Sequence, residues 1–298
     1  MKYIIPVILC FLLSRETQAQ QLQTSSFYDM QGVLHNASTA GTAAQNFIGA
    51  TYRTQWSGIS GNPKTATVFG SFEIPQQKMG VSAYVYNDRT GPTSRTGVQV
   101  AVAKHIPVGN DGKLSFGIES RFQQFAINQA KLTQTLGDDP VLAGSDNQFK
   151  YDAGLGVSYT GKKLQIGASV SQLVQSKLSF YNGNLSRNEQ ARLYRHYYGH
   201  ASYKWDVDGS TTITPNILFI YLPNAPLEFQ GTVRVEHKEL VWWGIGVRAH
   251  QNLMLSVGLN ATKNLSIGYG YDFYNAPLSL FDGGSNAHEV LIRYRFTK

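Results

Sequence analysis

Two pairs of side chains have types and spacing that could bind a metal ion. His288-Glu289 is the start of a zinc-protease signature, but position 292 is Ile where the signature needs a second His. His196 and His200 share a strand face, yet four residues of strand place their Cα atoms roughly 13 Å apart, too far for one ion. We therefore predict no metal site at either pair and interpret His196 and His200 as lumen-facing or rim residues.

Covalent and cofactor chemistry has little support in the chain. The only cysteine, Cys10, lies in an apolar N-terminal run, so no thiol nucleophile remains if that run is removed. No Gly-x-Ser-x-Gly elbow, phosphate-binding loop or dinucleotide fingerprint is present. We predict a protein that is not an enzyme and needs no cofactor. The alternative is a hydrolase whose Ser, His and acidic residue meet from distant strands, which no linear motif would reveal.

Charged side chains of both signs recur on one face of segments that alternate in polarity. They are Arg53, Glu119, Arg121, Asp152, Lys204, Arg234, Arg248, Asp272, Glu289, Arg293 and Arg295. Inside a barrel such side chains could line a pore, or they could pair with one another and close it. The sequence leaves both outcomes open.

The segments that carry these charges have the pattern of β-strands. They alternate apolar and small or polar residues and are separated by Gly, Pro, Asn and Asp clusters. We predict an all-β protein, a transmembrane outer-membrane β-barrel of about 14 antiparallel strands, an even number as bacterial barrels usually require. The predicted strand cores are 46–56, 65–74, 78–87, 95–106, 113–127, 149–160, 164–173, 192–205, 211–222, 227–236, 240–249, 253–261, 265–274 and 288–296. A soluble β-sandwich is the alternative, but its ~100-residue domains would need a boundary, and none is evident.

The connections between the predicted strands alternate in length. Every even-numbered connection is short, whereas the odd-numbered ones include Asn128 to Gln148 and Val174 to Ala191, although the ninth and eleventh are also short. This alternation is typical of barrels whose short turns and chain ends are periplasmic. We predict that the two long loops face outward and bind a secreted partner, because binding residues concentrate on loops held by a rigid scaffold.

The first residues have the three-part layout of a secretory signal peptide. Lys2 is followed by an apolar run over 4–13, which is roughly half of the ~20 residues that a spanning helix needs. We predict a cleaved signal peptide over 1–19, an N-terminal periplasmic segment over 20–45 and the barrel over 46–298. The formal charge of +7 is compatible with nucleic acid or anionic lipid and specifies neither. For a barrel we expect outer-membrane lipid as a partner and no nucleic acid.

Several short motifs follow one another along the chain. His35-Asn36-Ala37-Ser38-Thr39-Ala40-Gly41 is followed by Tyr52-Arg53-Thr54-Gln55-Trp56 and by Gly58-Ile59-x-Gly61-x-Pro63-x-Thr65. Later come Asn87-Asp88-Arg89-Thr90-Gly91-Pro92, then Gly268-Tyr269-Gly270-Tyr271-Asp272, and finally His288-Glu289. In order and spacing they resemble the PorP/SprF family of type IX secretion system membrane proteins over the whole mature chain. The motif positions are Arg53, Gln55, Trp56, Pro63, Asp88, Gly91, Tyr271, Asp272, His288 and Glu289.

Two features depart from the family pattern. Ala37 stands where the family usually has Pro, which puts the conformation of the opening loop in doubt. The chain ends Phe296-Thr297-Lys298 instead of on an aromatic residue, which weakens the expected assembly signal.

The resemblance implies an outer-membrane component of a Bacteroidota type IX secretion system. Such a protein would associate with ring or motor proteins and help to secrete or attach cell-surface adhesins, a role that extends to motility in gliding relatives. For Arg53, Trp56, Asp272 and Glu289 we favour inner-wall contacts or turn geometry over direct partner recognition. The alternative function is a passive porin or small-solute transporter, because fold alone does not separate the two.

Overall fold

Fourteen antiparallel strands form one closed barrel. The computed structural model describes residues 24–43, 46–129, 131–132, 147–178, 191–223, 225–249, 252–274 and 286–296. The strands are β1 (Phe47–Thr54), β2 (Lys64–Ile74), β3 (Met79–Thr90), β4 (Thr93–Val108), β5 (Gly112–Ile127), β6 (Asn147–Thr160), β7 (Leu164–Ser171), β8 (His196–Tyr203), β9 (Thr211–Tyr221), β10 (Glu228–His237), β11 (Val241–Arg248), β12 (Asn252–Asn260), β13 (Leu265–Tyr274) and β14 (Ala287–Arg295). The predicted outer-membrane barrel architecture and its strand number are confirmed.

Each strand pairs with the next along the chain, and the last pairs with the first. The closing ladder joins β14 to β1 and runs from Phe47 opposite Arg295 to Thr54 opposite His288. Lys177–Leu178 and Ala191–Arg192 form a small separate pair, and Trp205–Asp206 extends β8 along β9. Within the described residues, one continuous sheet contains all fourteen strands. Among the described residues, no helix is long and apolar enough to cross a membrane.

The two faces of the wall differ in polarity because successive strand residues point to opposite sides. On β12, Leu253, Leu255 and Val257 point outward, whereas Met254 and Ser256 between them are buried in the lumen. An apolar outer face is what the hydrocarbon of a bilayer requires of a barrel. Polar and charged side chains are consequently directed into the lumen, where they can pair.

The turns at one end of the barrel are short, and we call this the periplasmic end by the usual loop-length rule. The opposite end, the outer end, carries the long connections. Residues 133–146 and 179–190, which make up most of the two loops predicted to bind a partner, lie outside the described residues.

The N-terminal segment lies inside the barrel. The sequence predicts an N-terminal periplasmic segment over 20–45, and the structure packs residues 24–42 against the inner wall of the strands. Short helical turns at Tyr28–Met30, Gly32–His35 and Ala37–Thr39 make this segment compact. It packs inside because its polar groups meet partners on distant strands, which no local pattern reveals. Residues 1–23, with the predicted signal peptide, lie outside the described residues.

Candidate functional site

The candidate functional site is the lumen together with the segment 24–42 that occupies it. The segment runs from the outer half of the barrel to the periplasmic rim. At one end of it, Ser25 and Ser26 contact Glu289 near the start of β14. At the other, the N–H of Gly41 donates to Ser71 Oγ near the end of β2 at 2.8 Å.

Glycines on the inner wall make room for the segment. A Cβ atom at Gly80 would lie 2.0 Å from the Ala40 carbonyl oxygen, and one at Gly117 would lie 2.3 Å from the Ser38 nitrogen. A Cβ at Gly156 would lie 2.0 Å from an atom of the segment as well. At Gly80 and Gly117 the neighbouring atom belongs to the backbone, so a side chain there would force the segment to shift, whereas at Gly156 the neighbour is the Asn36 side chain. The three glycines therefore leave the space that the segment occupies.

Apolar side chains of the segment anchor it in two clusters within the lumen. Phe27 and Leu34 are buried against aromatic residues of the wall, and Phe27 meets Trp242 edge-to-face with ring centroids 5.9 Å apart. Tyr28 joins a second cluster that includes Leu218. The barrel therefore encloses a hydrophobic core much like that of a soluble domain, and burying these side chains stabilises the packed segment.

A buried ion cluster lies in the outer half of the lumen. Arg53 Nη2 lies 2.6 Å from Asp272 Oδ2, and Arg53 Nη1 lies 3.2 Å from Glu289 Oε2. Arg248 Nη1 lies 3.2 Å from the same Asp272 oxygen. Two cations thus face two anions, and their side chains are at most 2 % exposed. Buried charges persist only when they are paired and hydrogen-bonded in this way.

The N-terminal segment completes the coordination of this cluster. Ser25 Oγ donates to Glu289 Oε1 at 2.6 Å, and the Ser26 N–H donates to Oε2 at 2.7 Å. Ser26 Oγ donates to Asp272 Oδ1 at 2.7 Å, and Arg248 donates to the Ser25 carbonyl oxygen at 3.1 Å. The carboxylates of β13 and β14 are therefore shared between the wall and the segment.

A second polar group lies on the opposite wall. Arg121 donates to Glu119 at 3.1 Å and to Gln99 Oε1 at 2.9 Å. Gln99 Nε2 in turn donates to Glu119 Oε2 at 2.6 Å and to the Val33 carbonyl oxygen of the segment at 2.9 Å. This network again joins wall charges to the N-terminal segment.

Two further contacts hold the middle of the segment. Asp29 accepts two hydrogen bonds from Arg234, at 2.7 and 2.8 Å, and the guanidinium lies over the Trp242 ring with its central carbon 4.4 Å from the centroid. The Asn36 amide donates to the Val157 carbonyl oxygen at 3.2 Å, and its Oδ1 accepts the Ser38 N–H at 2.9 Å.

The structure brings together three of the predicted motif positions in the lumen: Arg53, Asp272 and Glu289. The sequence offered no signal for their partners Ser25 and Ser26, which lie outside the family motifs.

Other motif positions form the connection between β1 and β2 and the neighbouring turn at the outer end. The Gln55 N–H donates to the Pro63 carbonyl oxygen at 2.9 Å, and Gln55 Oε1 accepts the Tyr274 hydroxyl at 2.7 Å. Trp56 adopts a φ of 53°, which a non-glycine residue rarely does outside turns. Gly91 has a φ of 56°. These residues shape the rim and are not inside the lumen cluster.

Three remaining motif positions lie on strands near the outer end. Asp88 accepts the Thr65 hydroxyl at 2.8 Å. His288 and Tyr271 point to the outer side of the wall, with ring centroids 5.0 Å apart. His288 Nδ1 lies 2.6 Å from the Tyr269 hydroxyl. This aromatic group is typical of the interfacial girdle of a membrane barrel.

The histidines considered for metal binding have other contacts. His196 Nδ1 donates to the Tyr194 carbonyl oxygen at 2.8 Å, and His200 Nε2 lies 3.0 Å from the Asn36 amide. In the part of the chain that the structure describes, no group of three or more His, Cys, Asp or Glu residues could hold a metal ion.

Solved outer-membrane barrels share this fold at low sequence identity. The Ralstonia pickettii toluene transporter TbuX is 11% identical with a TM-score of 0.54, and the match covers 89% of this chain and 93% of that one. The CymD monoaromatic hydrocarbon channel is 9% identical with a TM-score of 0.53, over 90% and 93% of the two chains. The Acinetobacter baumannii outer membrane protein Omp33 is 8% identical with a TM-score of 0.50, over 85% and 98%. At such identities the likeness shows the fold alone.

Sequence comparison places the chain more narrowly. No curated protein matches it. The profile of the family described as "Type IX secretion system membrane protein PorP/SprF" matches residues 16–294, nearly the whole length, which confirms the resemblance carried by the motifs. The chain is thus an outer-membrane β-barrel that belongs to the PorP/SprF family of type IX secretion system membrane proteins.

Proposed function

We propose that this barrel acts as a non-catalytic scaffold of the type IX secretion system that supports secretion of adhesins or their attachment to the cell surface. Family membership supports a role with secretion components in the outer membrane. We extend that role to the delivery of adhesins and to a contribution to gliding motility.

The observation that carries the proposal is the occupied lumen. A passive pore needs a continuous water-filled path, whereas here residues 24–42 occupy the lumen and are bound by the Asp29–Arg234 ion pair and by hydrogen bonds to the buried carboxylates of Asp272 and Glu289. A hydrogen bond to a charged group contributes about 1.5–3 kcal/mol, so displacing the segment from several such contacts is unfavourable. A barrel with this interior is better suited to presenting its ends to partner proteins than to conducting solutes.

The second candidate function is small-solute transport. It is favoured by a cavity of about 730 Å³ that remains at the periplasmic end of the lumen, and by the fold shared with transporter barrels. In such a protein the N-terminal segment would have to move to complete a path.

Two measurements test the proposal, one on bacterial strains and one on the purified barrel. A strain that lacks the barrel should lose type IX cargo from the medium and adhesins from its surface, both quantified by mass spectrometry, and the wild-type gene should restore them. The purified barrel should show no steady conductance in planar bilayers. Normal secretion in the deletion strain together with an open-pore conductance would support the transporter instead.

A further inference from the structure

The periplasmic end of the lumen contains a cavity that the N-terminal segment does not fill. This vestibule has a volume of about 730 Å³ and is lined by the turns that follow β8 and β10 and by the end of β14. Its volume is within the roughly 300–1,000 Å³ that is usual for ligand sites. Its charged lining residues are four cations, Arg293, Arg295, Lys204 and Lys238, and three acidic residues, Asp206, Glu236 and Glu239.

Two arginines of β14 point into this vestibule without an ionic partner. Arg293 and Arg295 occupy successive inward positions, so their Cα atoms are roughly 7 Å apart and both guanidinium groups can reach one anionic group. The Arg293 guanidinium lies over the Phe47 ring, 4.0 Å from the centroid. In the described part of the chain, neither arginine forms an ion pair, and the Nε of each is buried without a hydrogen-bond partner.

Three carboxylates in or beside the vestibule make other contacts, and a fourth, Glu239, is exposed on the turn after β10 and forms no ion pair in the described part of the chain. Asp29 is bound to Arg234, and Asp206 faces Lys204 at 3.9 Å. Glu236 accepts a hydrogen bond from the amide of Asn260 at 3.3 Å.

The turn after β8 also contains Asp208, whose side-chain hydrogen bonds stay close to that turn. The backbone N–H and hydroxyl of Ser210, followed by Thr211, donate to Asp208 and hold the pKa of its carboxyl group below the usual range. This carboxylate is therefore charged but bound locally.

A guanidinium group remains charged at every physiological pH, and burial without a counter-ion is unfavourable. Paired arginines also bind carboxylates in short, charge-assisted hydrogen bonds. The guanidinium groups of Arg293 and Arg295 therefore have the chemistry of an anion site, within a lining whose four cationic and three acidic side chains leave one net positive charge.

We propose that the vestibule binds an acidic peptide segment of a periplasmic partner, with a carboxylate received by Arg293 and Arg295. This inference rests on the proposed function, since it assigns a contact surface to the secretion scaffold. The barrel wall separates the site from the bilayer, which disfavours a lipid headgroup. Towards the rim, Lys238 can meet a second carboxylate of the segment, whereas Lys204 faces Asp206.

Binding of a labelled hexaglutamate peptide to the full-length purified barrel tests the proposal. Fluorescence anisotropy at low salt should give saturable binding that weakens as salt is added. The double variant R293Q/R295Q should bind about tenfold more weakly, the size of effect expected for two charge-assisted contacts. The matched control is R89Q, which removes an exposed arginine at the outer end and should leave the Kd within about twofold. Equal Kd values for the double variant and the wild type would overturn the proposal, provided that circular dichroism shows both to be folded.

Competition with inorganic phosphate distinguishes a site for a peptide carboxylate from a site for a small free anion. Displacement of the peptide only at a large molar excess of phosphate would support a peptide site. Displacement at equal concentration would overturn the peptide assignment in favour of a free anion.

The same variants in cells keep this proposal distinct from the proposed function. If deletion of the barrel abolishes secretion and R293Q/R295Q reduces it at normal barrel abundance, with R89Q unaffected, both proposals are supported. If deletion abolishes secretion and R293Q/R295Q restores it fully, the vestibule proposal fails while the function stands. If deletion has no effect on secretion, the proposed function fails, and the partner assignment fails with it.

Discussion

The two ends of the lumen treat buried charge differently, although β14 contributes to both. Near the outer end, Glu289 is bound by Arg53 and by the N-terminal segment. Near the periplasmic end of the same strand, Arg293 and Arg295 face an open vestibule. The difference follows the path of the segment 24–42. In this barrel the lumen is thus closed where the N-terminal segment supplies hydrogen-bond partners to the charged wall.

The path of the segment explains which side of the lumen stays open. From its contacts with β14 the segment crosses to the wall formed by β5 and β6, where it packs on Gly117 and Gly156. It then reaches the rim at Gly80 of β3. The turns after β8 and β10 lie on the other side and are left to line the vestibule.

The largest expected effect comes from Asp272→Ala in the outer cluster. The substitution leaves Arg53 and Arg248 buried without this carboxylate and should lower the free energy of unfolding by about 3–5 kcal/mol. Urea unfolding in lipid vesicles, followed by tryptophan fluorescence, measures it. The control is Asp206→Ala, which breaks an exposed pair and should cost less than about 1 kcal/mol. Similar losses in the two variants would contradict the view that the outer cluster is a buried, mutually dependent unit.

A smaller loss is expected for Asp29→Ala in the middle of the lumen. Arg234 would lose both hydrogen bonds but keep its contact with Trp242, and we expect a loss of about 1.5–3 kcal/mol by the same unfolding assay. Asp29→Asn retains one acceptor and should lose less. An Asn variant as unstable as the Ala variant would show that the charge, and not the hydrogen bonding, dominates.

Gly117→Ala tests whether the space left by the wall glycines holds the segment in place. Its Cβ would overlap the backbone at Ser38, so we expect a cost of about 1–3 kcal/mol and partial release of the segment. Release is measured by maleimide labelling of a cysteine introduced at Val33, an apolar residue of the segment that is buried. Gly231→Ala is the matched control, because a Cβ there meets nothing within 4 Å. Equal labelling of the two variants would argue against a role of Gly117 in holding the segment.

The smallest loss of stability is expected for the two arginines at the periplasmic end, which form no ion pair with a described residue. R293Q/R295Q removes two like charges that have no described ionic partner, so the free energy of unfolding should change by less than about 1 kcal/mol. The unfolding assay used for Asp272→Ala applies here as well. A loss as large as that of Asp272→Ala would mean that the periplasmic end is held together by charge after all, and the contrast between the two ends would disappear.

Much of the wall could be predicted because its physical causes are local. A strand between lipid and lumen must alternate, so Leu253, Leu255 and Val257 identify β12 without knowledge of its neighbours. The inward placement of Arg53, Asp272 and Glu289 follows from the same parity. The motif positions Gln55, Pro63 and Gly91 were recognised by resemblance, and only the structure shows that they shape the outer rim.

By itself the sequence determined the strands, their parity and their number, because a membrane imposes a two-residue period that short-range chemistry records, and its motifs carried the resemblance to the family. Tertiary structure alone decided where the N-terminal segment lies and which charges are paired. Those outcomes depend on contacts such as Ser25 with Glu289, 264 residues apart, and on the space left by wall glycines. Contacts of that range leave no local pattern, since each partner is an ordinary polar residue until closure of the barrel brings the two together.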